Sequence, residues 1–149
     1  MTKGRSPYYY LFLSPLIIER IKNINHLIDK RRYLAEIYDS NLSELEDRGL
    51  IKLPPKFSTK SKSKSTYQNY EIQAENRKKL IDFLSYHNVG TIIQWGGFSI
   101  AHFSKLGFKI EDYPKTASLF EKLLLLPMNH MINENEVEYI CKIIKNFYK

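Results

Sequence analysis

Cysteine is almost missing from this chain: Cys141 stands alone among 149 residues. No internal disulfide can form, so a cross-linked scaffold is excluded. The expected setting is a reducing, cytoplasmic one. Glycine and proline are scarce, six of each, which excludes collagen-like and low-complexity chains. No run of about 18 apolar residues exists, so no membrane-spanning helix is expected. The apolar patch Tyr8 to Leu13, behind Lys3 and Arg5, is too short for a secretory leader and is followed by no small-residue cleavage site.

Chemistry-bearing motifs are missing too. His26, His87, His102 and His130 do not pair with another histidine, cysteine or acid at metal-ligand spacing. There is no phosphate-binding glycine motif, since Gly96-Gly97 is only a doublet, and no serine is framed as a nucleophile elbow. Cys141 falls on the apolar face of a helical pattern and reads as a buried structural thiol. On these grounds the chain is not a self-sufficient enzyme.

What is present is a foldable composition. Apolar residues make up 43% and charged residues 26%, which excludes intrinsic disorder and suits one compact domain. The net charge of +7 is concentrated: Lys52, Lys56, Lys60, Lys62 and Lys64 carry five of the seven charges with no acid between them. They lie about a Pro/Lys/Ser-rich stretch, residues 54–65, that cannot bury a core and is expected as an exposed loop. Phe57 and Tyr67 are too few aromatics for a single-strand nucleic-acid binder, so no nucleic-acid partner is expected.

The order of elements follows from spacing. Ser14-Pro15 has the chemistry of a helix start. Ile17, Ile21, Ile24, Ile28, Leu34, Ile37, Tyr38, Leu42 and Leu45 then recur at helical steps until Gly49. That predicts a long helix, broken or not, suited to an interface or to spanning two domains. Leu50 to Leu53 predicts a short strand ended by Pro54-Pro55, and Thr66 to Gln73 a second strand. Glu75 to Asn88 reads as a helix, Gly90 to Trp95 as a buried strand ended by Gly96-Gly97, and Ile100 to Leu106 as a short helix stopped by Gly107. Pro114 opens a helix with Ala117, Phe120 and Leu123 on one face. Leu124 to Leu126 is either its tail or a strand. Asn133 caps a last helix, Glu134 to Phe147, with Val137, Ile140, Cys141, Ile144 and Phe147 inward. The expected class is α+β, helices on one side of a small mixed or antiparallel sheet.

One segment invites a site. Ile92-Ile93-Gln94-Trp95-Gly96-Gly97-Phe98 delivers the only tryptophan and an amide at the end of an apolar run, just before two glycines. Sites are often built where a strand ends in a flexible turn.

The succession of these stretches resembles the C-terminal domain of the DegT/DnrJ/EryC1/StrS sugar aminotransferases, pyridoxal-phosphate enzymes of the aspartate aminotransferase fold. The likeness rests on Ser14-Pro15-Leu16 with Arg31-Arg32 and Tyr38, then Tyr67-Gln68-Asn69-Tyr70, then Asn88-Val89-Gly90-Thr91 running into Gln94-Trp95. Leu106-Gly107-Phe108, Tyr113-Pro114-Lys115-Thr116-Ala117, Leu126-Pro127-Met128 and Asn133 to Val137 follow in the family's order. It implies the small domain of that fold over residues 14–149, with a long N-terminal helix and a short, mostly antiparallel sheet flanked by helices. Residues 1–13 form an atypical lead-in, with Tyr10 and Phe12 where the family carries polar residues.

The resemblance further implies amino transfer, from glutamate as a rule, to a keto-sugar nucleotide, with pyridoxal phosphate held by a large domain of which no stretch here is a likeness. The implied reading is a partial, truncated enzyme that binds no cofactor and is inactive alone. Gln94, Trp95, Gly96, Gly97 and His102 are its substrate-side candidates, and Gln94-Trp95-Gly96-Gly97 departs from the His-Tyr-Pro-like stretch of many members. Two other readings stand beside it. One is a split enzyme completed by a separate large-domain chain, or a homodimer, through the long helix and the Tyr8 to Leu13 patch. The other is a repurposed binding module whose Lys/Ser loop contacts phosphate-rich ligands.

Overall fold

The computed structural model describes residues 7–56 and 64–149, with side chains from residue 13 onward in the first helix. Phe57, Lys60 and Lys62 of the basic stretch lie outside the described residues, and so do residues 1–6 of the lead-in; Lys56 and Lys64 are exposed.

Two helices open the chain, α1 (Pro7–Lys22) and α2 (Ile24–Asp47), parted at Asn23. The helix therefore starts before Ser14-Pro15, which is not its cap, and Pro15 sits inside α1. Proline brings no N–H to that turn, yet the helix runs through it to Lys22. α2 buries Leu34, Ala35, Tyr38, Leu42 and Leu45, one face at steps of three and four. It ends where the pattern predicts. Gly49 takes φ +70, its N–H bonds Glu46 O at 2.8 Å and the Leu50 N–H bonds Leu45 O at 3.0 Å. That double closure of the last turn needs a residue tolerant of left-handed backbone, which glycine supplies.

Three antiparallel strands follow in the order β1 (Ile51–Lys52), β2 (Tyr70–Ala74), β3 (Leu123–Leu126). β2 pairs Tyr70 with Leu126 and Gln73 with Leu123. Its alternation turns Tyr70, Ile72 and Ala74 inward. β3 is buried at all four residues: Leu124 and Leu126 join the main core, while Leu123 and Leu125 are buried outside it. Leu124 to Leu126 is thus a strand, not a helix tail, and Leu123 belongs to it.

Between β2 and β3 stand α3 (Arg77–Tyr86) and α4 (Pro114–Lys122), and α5 (Glu134–Phe147) closes the chain. The start of α5 is a reciprocal cap: the Glu136 N–H donates to Asn133 Oδ1 at 3.1 Å and the Asn133 N–H to Glu136 Oε2 at 2.8 Å. Val137, Ile140, Cys141, Ile143 and Ile144 line its buried face. α2 and α5 pack on each other over β2 and β3 and enclose the core. The structure is the α+β arrangement expected, with an antiparallel sheet.

Two tyrosines sit inside that core. Tyr38 and Tyr70 stack with centroids 4.5 Å apart. Their hydroxyls are satisfied, Tyr38 by Pro127 O at 3.0 Å and Tyr70 by Asp39 Oδ1 at 2.6 Å. Burial raises the pKa of both phenols, and it pushes the Cys141 thiol up to about 12. The sulfur is held as a neutral packing group.

Two further expectations need correction. Gly90 to Trp95 is not a buried strand. Only Ile92 pairs, in a single bridge to Leu125, and its side chain is 66% exposed. Trp95, Gly96 and Gly97 take φ of 48°, 65° and 85° in succession, which carries the chain off the β3 edge after one pair. Ile100 to Leu106 is not one helix but two single turns of 3-10 type, Ile100–His102 and Ser104–Leu106. Phe103, at φ −97 and ψ 81, interrupts them.

Candidate functional site

The segment from Ile92 to His102 is anchored at one end. The Ile92 N–H donates to Leu125 O at 3.2 Å, and the Leu125 N–H donates back to Ile92 O at 2.9 Å. From that bridge Gln94–Gly97 forms a tight turn, closed by Gly96 N–H to Ile93 O at 3.1 Å and by Phe98 N–H to Trp95 O at 3.3 Å. Trp95 is the unusual member, because a bulky side chain at φ 48 sits in a region that costs about 1–2 kcal/mol for an L-residue. The turn instead holds its ring outward, 74% exposed. Such strain, kept at an exposed aromatic, is typical of binding edges.

The Trp95 ring has one aromatic neighbour in an offset stack. It stacks on Phe120 of α4 with centroids 6.2 Å apart and planes 23° apart. His102 comes to the same Phe120 at 6.1 Å. Its Nδ1 accepts the Ser99 N–H at 3.0 Å and lies 2.9 Å from Ser99 Oγ. With Nδ1 engaged as acceptor, the proton of the neutral ring resides on Nε2. The cavity beside them holds about 550 Å³, lined by Trp95, Phe98, Ser99, Ile100, Phe103 and Leu106 over Phe120.

The five candidates therefore lie on one edge. Gln94, Trp95, Gly96 and Gly97 form the turn, and His102 meets Trp95 through their shared contact, Phe120. The sequence placed Phe120 on a core-facing helix side but carried no sign that it would be the platform for both. α4 is itself tied down by a residue no motif singled out: Arg77 Nη1 donates to the carbonyls of Phe120 and Leu123, and Lys122 Nζ engages Glu75.

The edge offers an aromatic face, one carboxamide and one imidazole. It holds no carboxylate and no lysine, so it can bind and orient a flat or apolar-faced ligand, with His102 as its single titratable group. Among the described residues no group of three or more His, Cys, Asp or Glu is placed to hold a metal ion, and no helix is long and apolar enough to cross a membrane.

Residues 13–145 match the DegT/DnrJ/EryC1/StrS aminotransferase family. No curated protein matches the chain. Solved structures do match. An aminotransferase of the same family from Brucella abortus superposes with a TM-score of 0.70 at 20% identity, covering 87% of this chain and 33% of its own. DesV of S. venezuelae, solved with a ketimine intermediate, gives 0.72 at 18% identity, covering 90% of this chain and 35% of its own. An E. coli GDP-4-keto-6-deoxy-D-mannose-3-dehydratase with bound hydrated PLP gives 0.68 at 15%, covering 85% and 33%. The chain spans about a third of the length of the structures it matches.

Proposed function

The chain belongs to the DegT/DnrJ/EryC1/StrS aminotransferase family, and from that premise we propose that it is the small-domain part of a pyridoxal-phosphate enzyme that aminates a keto-sugar nucleotide. The observation that carries this reading is the Gln94 to His102 edge: an exposed aromatic held on a strained turn, with an amide and an imidazole beside it and no group of its own for bond-breaking chemistry. In this role Trp95 stacks against the ligand, Gln94 hydrogen-bonds it, and Phe120 and the Gly96-Gly97 turn fix the Trp95 ring in place. His102 donates from Nε2.

The described residues do not fit the cofactor by themselves. Pyridoxal phosphate needs a lysine for the Schiff base and a partner for its pyridine nitrogen in one pocket. The cavity that holds Lys78, Lys79 and Lys122 has no aromatic wall, and Lys122 is already paired to Glu75. No step through the cofactor is therefore assigned to this chain. It works in the proposal with a cofactor-holding large domain, in the same polypeptide or as a separate chain, and is inactive alone.

The purified chain with added pyridoxal phosphate is expected to show no borohydride-reducible lysine adduct. Joined with the large domain, glutamate and a keto-sugar nucleotide, it is expected to yield an amino sugar by mass spectrometry. A stable lysine adduct on this chain alone overturns the division of labour. A deoxygenated product in place of the amino sugar replaces amino transfer by dehydration, the reaction named for the E. coli neighbour.

A further inference from the structure

Ser99 is buried, and both of its donor groups close on one atom. Its main-chain N–H donates to His102 Nδ1 at 3.0 Å, and its Oγ lies 2.9 Å from the same nitrogen. The His102 N–H returns a bond to Ser99 O at 3.0 Å. The two donors differ in freedom. The hydroxyl can turn, so it gives a hydrogen to Nδ1 or takes one from it. The main-chain N–H can only give. Nδ1 must therefore stay bare while the turn is closed. A proton there sets two donors against each other and leaves the Ser99 N–H buried and unpaired.

His102 is exposed, so solvent protons reach its ring. The ring meets Phe98 edge-on at 5.7 Å and tilts against Phe120 at 6.1 Å. Among the described residues no hydrogen bond or ion pair joins it to a charged side chain. The elements around it carry Lys105 on its own segment and Lys115, Glu121 and Lys122 on α4, of which Lys122 is paired to Glu75.

We propose that Ser99 is the positioning residue of this edge, and that its main-chain N–H makes a proton-operated clasp, closed on neutral His102 and open once the ring is protonated. Closed, the clasp leaves Nε2–H as the one donor the ring offers a ligand. Acid opens residues 98–102 and releases the ring from its place against Phe120. The clasp is complete above the range in which histidine ordinarily takes up a proton, about pH 6.5. It is lost as pH falls through that range. The inference rests on the ligand role proposed above for this edge and adds its regulation. Its test uses neither ligand nor large domain, so the clasp can fail while amino transfer stands, and the reverse.

NMR of the isotope-labelled full chain, titrated through the histidine range, is the experiment. Neutral His102 is expected to carry its proton on Nε2, and the Ser99 amide resonance to shift with the same midpoint as the ring. Ser99→Pro deletes the N–H where the backbone accepts proline, since Phe98 is extended at φ −111 and ψ 127 and Ser99 lies at φ −92. Ser99→Ala deletes only the hydroxyl. His102 is expected to hold its proton about tenfold more tightly in Ser99→Pro than in Ser99→Ala, a midpoint about one pH unit higher. His102→Asn offers a carbonyl to the Ser99 N–H and does not titrate, so it keeps the clasp closed in acid. The only tryptophan, Trp95, reports this: its emission changes with pH in the parent and stays level in His102→Asn. That comparison carries the test should Ser99→Pro fail to fold by circular dichroism. A neutral ring protonated on Nδ1, a Ser99 amide indifferent to the titration, equal midpoints in the two Ser99 variants, or the parent's emission change persisting in His102→Asn overturns the proposal.

Discussion

Trp95 lies over Phe120, ring centroids 6.2 Å apart and planes 23° apart, although its own backbone is left-handed at φ 48. The stacking and the strain oppose one another, and substitution separates them. Trp95→Ala removes the ring and keeps most of the strain. Trp95→Gly removes both. Trp95→Gly is therefore expected to be more stable than Trp95→Ala by roughly 1 kcal/mol, read by urea denaturation. Equal or reversed stabilities contradict a strained turn.

The two glycines flanking the Ile92 to Trp95 stretch should respond differently to a methyl group. Gly97 has φ +85, and an added Cβ would meet Ile93 Cγ2 at 3.4 Å; Gly90 has neither a positive φ nor any atom within 4 Å. Gly97→Ala is expected to cost about 1–2 kcal/mol. Gly90→Ala is expected to stay within about 0.5 kcal/mol of the parent. Melts of the two variants side by side decide it.

Alkaline pH should unfold the chain through groups the fold keeps neutral. Cys141 releases its proton near 9.0 when unconstrained and only near 12 when buried. The unfolded state thus loses the proton first, so this stabilisation is complete below about pH 9 and is lost as pH rises toward about 12. Across that window one such group contributes a fall of about 1.4 kcal/mol per pH unit. Tyr38 and Tyr70, also raised by burial, act in the same direction. Cys141→Ala should make the decline shallower in denaturation midpoints taken from pH 8 upward, and an unchanged slope counts against a buried neutral thiol.

The bond from the Tyr70 hydroxyl to Asp39 Oδ1, at 2.6 Å, joins the sheet to α2. Tyr70 is wholly buried, so Asp39→Ala leaves its hydroxyl without a partner and is expected to cost about 1–3 kcal/mol. Tyr70→Phe in that background should be milder than the sum of the two single changes, with a coupling of about 1 kcal/mol. Strict additivity in a double-mutant cycle would show that the bond contributes nothing.

Family membership was legible because it rests on ordered short stretches from Ser14 to Val137, and the match over residues 13–145 bears it out. α2, α4 and α5 were legible for a local reason: a buried stripe at helical spacing, a proline at the start of α4, and Asn133 with Glu136 as a reciprocal cap. The misread segments share a physical cause. Ile92-Ile93 is as apolar as a buried strand, but pairing depends on which edge of β3 is free and for how far. Arg31 is one of two adjacent arginines, and nothing local tells that Arg32 finds acceptors while Arg31 Nε finds none among the described residues.

The sequence by itself determined α2, α4 and α5, the class of fold and the family, since periodicity, capping and turn chemistry are settled within a few residues of one another. Tertiary structure alone decided that Trp95 and His102 meet over Phe120, that Ile92 pairs once and then turns away, and that Leu16, Ile17, Ile18 and Ile21 of α1 are exposed among the described residues. Those outcomes depend on how distant elements fill space against each other, and no short-range pattern encodes them.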